Sequence, residues 1–253
     1  MQYNITSRQN PRIVEINKLK LKKMRNETGL GIIEGERIVN DVLQQKIVFK
    51  TLVVLDSMQS HYQPILKSDV CEDCLIVSQD VFNSLSTTQN SQGIMAVVKI
   101  DEKTFALPKS KFLVLDSIQD PGNLGTILRT AVALDYTNIF LYNCVDFRND
   151  KVLRATMGTI FKTNLTTICE KNLQQLSKSC TLLLADAAGE PLGKCKMPSK
   201  DFGIVLCNEG NGASVAIKNL KTKKIAIKMQ NQVESLNVSI AGAILMYALG
   251  SLD

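Results

Sequence analysis

Histidine is nearly absent from this chain: among 253 residues only His61 carries an imidazole. It lies in the first half, far in sequence from the polar loops described below, so a Ser-His-Asp triad, a Cys-His dyad or a histidine-rich metal site is not expected. Long apolar runs are missing too. The longest, around residues 240–249, contains Gly242, is too short to cross a bilayer, and reads as a buried C-terminal helix. No basic stretch followed by an apolar core opens the sequence, so a cytoplasmic protein without a membrane partner is expected. There is no Walker A pattern, and Gly210-x-Gly212 lacks the third glycine and the strand-to-helix placement of a dinucleotide fingerprint. A single CxxC, Cys71 to Cys74, has no second pair nearby, so no metal is expected and these cysteines read as structural or incidental. The seven cysteines, odd in number and scattered, fit reduced thiols. Low-complexity tracts and internal repeats are absent. What remains for chemistry is arginine, glutamate, serine and asparagine, an inventory suited to group transfer more than to hydrolysis.

Charge is present in excess of one sign. The net charge is +6, and its location is informative. Arg8, Arg12, Lys18, Lys20, Lys22, Lys23 and Arg25 face the single acid Glu15 in one short segment, and Lys218, Lys221, Lys223, Lys224 and Lys228 form a second, acid-free cluster. Either cluster alone is ordinarily a solvated face. Two together make nucleic acid the leading partner, because lysine and arginine bind phosphates without reading sequence.

Hydrophobic patterning divides the chain in two. In the first half, "NPRIVEINKLKLKKMR" (10–25) reads as one helix, with Asn10 as N-cap and Pro11 at its first position, and "EGERIVNDVLQQ" reads as a second helix. Strands are expected at "VFKTLVVLD", "CLIVS" and "GIMAVVKI", giving a small α/β domain over residues 1–100. Residues 101–110, polar and carrying Pro108, read as a linker. Over residues 111–253, apolar β-branched runs alternate with helical or looped segments, which predicts a parallel sheet covered on both faces.

Ligands of such sheets gather at the carboxyl ends of the strands. Three segments there have unusual composition: "DSIQDPGNLGTILRTAV" (116–132), "CNEGNGAS" (207–214) and "MQNQVESLNVSIAGA" (229–243). One such loop by itself ordinarily only turns the chain. Three in one half-chain, each with polar or charged residues that a turn does not require, point to a binding site.

These residues resemble the SpoU (TrmH-like) RNA ribose 2′-O-methyltransferases of the SPOUT class. Asp120, Pro121, Asn123, Gly125, Arg129, Thr130 and Ala131 match the family's first motif, Asn208 to Gly212 its second, and Ser235 to Val238 its third. "KVLRATMGTIF" resembles its Arg-Ala-Ser-x-Gly segment, with Thr156 in the serine's place, and the first half resembles the family's substrate-binding extension. Lys228 stands where a proline commonly precedes the methionine of the third motif, here Met229, and Cys207 where a glycine often precedes Asn208 of the second.

The resemblance implies a C-terminal knotted parallel-sheet methyltransferase domain behind a small α/β RNA-binding domain. It implies a homodimer and S-adenosylmethionine as cofactor. The reaction implied is methylation of a ribose 2′-hydroxyl in structured RNA, ribosomal first and transfer second. Asn123, Arg129, Glu209, Ser235 and Asn237 are then expected to be catalytic. Asn208, Gly210, Gly212, Ile227, Met229, Ser235, Leu236 and Asn237 are expected to hold the cofactor. RNA contacts are expected from Arg8, Arg12, Lys18, Lys22, Lys23, Arg25, Arg129 and Arg154. Two other readings stand beside this one: a non-catalytic RNA-binding or ribosome-assembly protein that keeps the fold, and a methyltransferase acting on a base.

Overall fold

The computed structural model describes residues 1–195, 201–208, 210–230 and 235–250. In chain order its elements are β1 (Gln2–Ile5), α1 (Pro11–Lys18), α2 (Lys22–Thr28), β2 (Leu30–Glu34), α3 (Glu36–Gln44), β3 (Phe49–Leu55), α4 (Gln63–Leu66), β4 (Cys71–Val77), α5 (Gln79–Leu85) and β5 (Ile94–Lys99). They continue with β6 (Phe112–Asp116), α6 (Pro121–Ala133), β7 (Asn138–Tyr142), α7 (Asp150–Thr156), β8 (Asn164–Thr167), α8 (Glu170–Ser179), β9 (Thr181–Pro191), β10 (Phe202–Cys207), α9 (Val215–Lys218), β11 (Lys223–Ala226) and α10 (Val238–Gly250). Two compact units result: Met1–Asp101 with Asp146–Phe161, and Glu102–Val145 with Lys162–Asp253. The division is not a single cut at a linker, because Asp146–Phe161 packs with the first unit.

The first unit is built on a five-stranded sheet of order β1-β4-β3-β5-β2, in which β5 runs antiparallel to both its neighbours. Ile13, Ile16, Leu75, Phe82 and Val97 are among its core. The side chain of Asn10 accepts from Arg12 N at 3.0 Å and starts α1, as Asn-Pro predicts. The helix expected to run on through Arg25 is instead broken at Leu19–Leu21. Arg25 Nη1 donates to the carbonyls of Leu19 (2.9 Å) and Lys20 (2.8 Å), capturing acceptors that would otherwise continue the helical ladder. Strand β2, unanticipated, is short and alternates buried with half-buried residues.

The second unit is a six-stranded sheet of order β11-β9-β10-β6-β7-β8 with every pairing parallel. Strand β6 is buried throughout, Asp116 included. Because all strands are parallel, their carboxyl ends share one edge, and the segments after β6, β9, β10 and β11 emerge there together. Strand β8 escaped the sequence pattern because it is an edge strand of mostly polar residues, Asn164–Thr167. The ladder between β9 and β11 jumps from Leu184↔Lys224 to Glu190↔Ile225, a bulge at the carboxyl end of β9. The last helix corrects its expected full burial. Gly242, Leu245, Met246 and Leu249 face inward, whereas Ile240 (51% exposed), Ile244 (38%) and Tyr247 (66%) face outward, since only one side of α10 packs on β10 and α6.

Candidate active site

The first of the three segments is mostly helix. Asp120 caps α6 by accepting the Asn123 N–H at 2.7 Å, with Pro121 at the first helical position. Asn123 therefore sits in the first turn, where unpaired N–H groups favour anions. Arg129 projects two turns further on, exposed and without an ion pair among the described residues. Gly125 of the first motif is on the buried face of α6.

The second segment is organised by a buried carboxylate. Asp116 is 0% exposed. Its Oδ2 accepts the Ser214 N–H at 2.7 Å, its Oδ1 the Ser117 hydroxyl at 2.9 Å, and its carbonyl the Asn208 N–H at 3.1 Å. Ser117 is held at φ 60, a left-handed conformation that these bonds maintain. Asn208 donates its side-chain N–H to the Ser117 carbonyl at 3.1 Å and accepts from Gly210 N (2.9 Å) and Asn211 N (3.1 Å), folding the turn that Gly212 closes at φ 64. Burial, then the Asp116 carboxylate, pushes the Cys207 thiol up, so it stays a neutral donor toward Asp116. Glu209 lies outside the described residues.

The third segment meets the first. Asn237 accepts from Ser239 N at 2.9 Å at the start of α10 and donates its side-chain N–H to Asn123 Oδ1 at 3.0 Å. A cavity of about 520 Å³ opens behind this contact. Asn208 and Gly212 of the second segment, Ile227 and Met229 before the third, and Ser235 and Leu236 within it all line that cavity. Gly210 and Asn237, both expected to hold the cofactor, are not among its lining: Gly210 sits on the exposed side of the turn, and the Asn237 side chain is spent on Asn123 and Ser239. Four residues in the middle of β9, Leu184, Ala185, Asp186 and Ala187, line it unexpectedly. Their signal was legible as another apolar run ending in a carboxylate at the ligand edge of a parallel sheet. Asp186 pairs with Lys224 at 2.8 Å, and that contact holds its carboxyl below the ordinary range. The cavity joins apolar walls (Leu206, Ile225, Leu236, Leu245) to a few polar groups, the usual make-up of a cofactor pocket.

Among the expected RNA contacts, Arg8, Lys18, Lys22 and Lys23 are exposed on the first unit, while Arg12 pairs with Asp73 and lies over the Tyr3 ring. Arg154 pairs with Asp150 at 3.1 Å. Arg25 departs from the solvated face expected of it. It is 6% exposed and held by Asp146 at 2.6 Å, the burial of a charge being tolerable only with such a partner. Cys71 and Cys74 lie on β4 in the first unit. Among the described residues no group of three His, Cys, Asp or Glu is placed to hold a metal.

Residues 110–247 match the model of the SpoU rRNA Methylase family. The chain belongs to that family. Its residues 10–96 match the MRM3-like substrate binding domain. The 23S rRNA (guanosine(2553)-2′-O)-methyltransferase RlmP of Bacillus subtilis is 31% identical over 97% of this chain and 98% of its own. A solved TrmH-family putative RNA methyltransferase from Porphyromonas gingivalis shares 26% identity, covers 97% of this chain and 99% of its own, and superimposes with a TM-score of 0.84. An AdoMet-bound rRNA methyltransferase from Sinorhizobium meliloti, 24% identical over 98% of this chain and 97% of its own, shows the same fold with a TM-score of 0.83. As a member of that family the chain is an RNA methylase, for which S-adenosylmethionine is the expected methyl donor. When bound, the cofactor supplies a methyl group on a sulfonium. The pocket fits it in volume, in its apolar walls and in the backbone groups that the Gly212 turn presents.

Proposed function

We propose that this enzyme methylates a ribose 2′-hydroxyl in ribosomal RNA, in the cytoplasm, with the residues of the three motifs in the following roles. Asn208, Gly212, Ile227, Met229, Ser235 and Leu236 hold the cofactor in the cavity, and Gly210 shapes the turn from outside. Arg129 binds the phosphate of the target nucleotide and stabilises negative charge developing on the 2′-oxygen. A guanidinium keeps its proton, so it serves as an electrostatic clamp and not as the base; the hydroxyl proton leaves to solvent as the O–CH3 bond forms and the sulfonium S–CH3 bond breaks. Asn123, Ser235 and Asn237 orient the ribose, and Glu209 is assigned with them on the motif alone. Holding hydroxyl and methyl in line supplies much of the rate. The observation that carries this reading is the Asn237–Asn123 hydrogen bond, which ties the cofactor-side motif to the helix bearing Arg129.

The relatives' descriptions favour ribosomal over transfer RNA, and give no support to a non-catalytic scaffold. The outward stripe of Ile240, Ile244 and Tyr247 on α10 supports a homodimer formed through that helix, and the knotted threading of the second unit is proposed with it. Ribose-methylation mapping of ribosomal RNA with and without the gene tests the substrate: one methylated guanosine should disappear. In vitro, Arg129→Ala should lower turnover by at least about 100-fold while calorimetry finds S-adenosylmethionine binding within about threefold of the parent. Near-normal turnover removes Arg129 from the mechanism.

A further inference from the structure

The first unit contains a cavity of about 210 Å³ that none of the motifs accounts for. Lys20, Arg25, Glu34, Arg148, Asp150 and Arg154 line it. An account of its charged groups shows which polarity is left over. Asp146, behind Arg25, is used on both oxygens, by Arg25 Nε at 2.6 Å and by Arg148 N at 2.9 Å. Glu34 is likewise used on both: Oε1 accepts the hydroxyls of Ser86 (2.6 Å) and Thr88 (2.7 Å), and Oε2 the Thr87 N–H at 3.1 Å. Asp150 Oδ2 accepts the Thr87 hydroxyl at 2.8 Å and Arg154 Nη2 at 3.1 Å.

The arginines are not consumed in this way. Arg148 is 7% exposed, spends Nε on the Ile100 carbonyl at 3.0 Å, and stacks 4.3 Å from the centre of the Phe147 ring. Its Nη1 and Nη2 have no hydrogen-bond partner among the described residues. Arg25 spends Nε and Nη1, leaving Nη2 without one. A guanidinium has five donors, no acceptor and no means of shedding its charge. Two buried guanidinium groups held rigid, each lining one recess and each with unspent donors, select an anion whose oxygens take paired N–H groups.

We propose that this recess is a phosphate subsite, in which Arg148, Arg25 and Arg154 receive one phosphodiester of the substrate RNA. The inference rests on the reading of the chain as an RNA methyltransferase. The fixed guanidinium groups set the register of the RNA on the first unit, as buried phosphate contacts do, and exposed lysines add affinity without register. Glu34 and Asp150 at the same recess disfavour a second phosphate.

The test uses the whole 253-residue chain and purified ribosomal RNA. Arg148→Gln and Arg154→Gln should each weaken RNA binding about tenfold and lower the slope of log affinity against log salt by about 1. S-adenosylmethionine binding should stay unchanged. Arg154 is half-exposed, so if Arg148→Gln fails to fold, Arg154→Gln decides alone. Unchanged affinity and slope in a folded variant overturn the proposal, and so does lost affinity with an unchanged slope, which marks a purely structural role. Inorganic phosphate separates the sources. If it raises the melting temperature of the parent but not of Arg148→Gln, while RNA binding is equal in both, the recess takes a free anion and the RNA assignment is wrong. A parent protein that binds RNA with these properties but transfers no methyl group sinks the enzymatic reading and leaves the subsite standing.

Discussion

Two thiols of the same motif are set apart by their surroundings. A hydrogen bond from Cys74 holds the Cys71 thiol down to about 7, despite the opposing effect of burial, and the same contact pushes Cys74 up. Cys144, in the second unit, is pushed up to about 12 by burial. The thiolate is the nucleophile, so between about pH 6 and about pH 8 iodoacetamide labelling of Cys71 should rise roughly tenfold, with Cys144 unlabelled, as read by peptide mass spectrometry. The linkage has a definite sign. A thiol lowered on folding contributes stability that is complete above its ordinary value and is lost as pH falls through about 7. Cys74→Ala should return Cys71 labelling toward that of an ordinary thiol; if it does not, the hydrogen bond is not the cause. The sequence showed the CxxC spacing but not this asymmetry, which depends on which sulfur the strand buries.

Elements of the second unit are joined through one side chain. Asp116, the last residue of β6, accepts from Ser117 in the following turn and from Ser214, which caps α9, while its carbonyl accepts from Asn208 at the end of β10. Removing it leaves a buried N–H without a partner, at a cost of about 1–3 kcal/mol. Asp116→Ala should therefore lower the melting temperature and weaken S-adenosylmethionine binding on the order of tenfold, whereas Asp116→Asn, which keeps one acceptor, should recover part of both. Calorimetry and thermal unfolding check this, and unaltered cofactor affinity in Asp116→Ala denies the carboxylate its positioning role. At this scale most strands were legible because a buried parallel sheet writes continuous apolar runs. The exceptions have local causes: β1 and β8 are short edge strands of mostly polar residues, β2 is short, and α1 stops at Lys18, after which Arg25 takes the carbonyls of Leu19 and Lys20.

For the molecule as a whole, α10 carries an exposed apolar stripe. Ile240, Ile244 and Tyr247 recur at helical spacing on its outer side. Ile244→Glu should shift the proposed homodimer to monomer in light scattering, and lower methylation if the partner copy completes the RNA site. A parent protein that is monomeric at assay concentration refutes the dimer. Gly242 shows how closely the other face is packed: a Cβ there would lie 2.7 Å from Leu206 Cδ1, so the helix rests directly on β10 behind the cofactor cavity.

The order of the motifs, the parallel character of the second sheet and the chemical inventory without imidazole were all determined by the sequence, because each is a local or periodic property. Contacts between distant residues were decided only in three dimensions. Asn123 and Asn237 share a hydrogen bond across 114 positions, Asp116 reaches Ser214, and residues 146–161 join the first unit and bring Arg148 to the recess beside Arg25. Periodicity reports which face of an element is buried. It carries no term for which two elements meet, and that is set by the packing of the whole core.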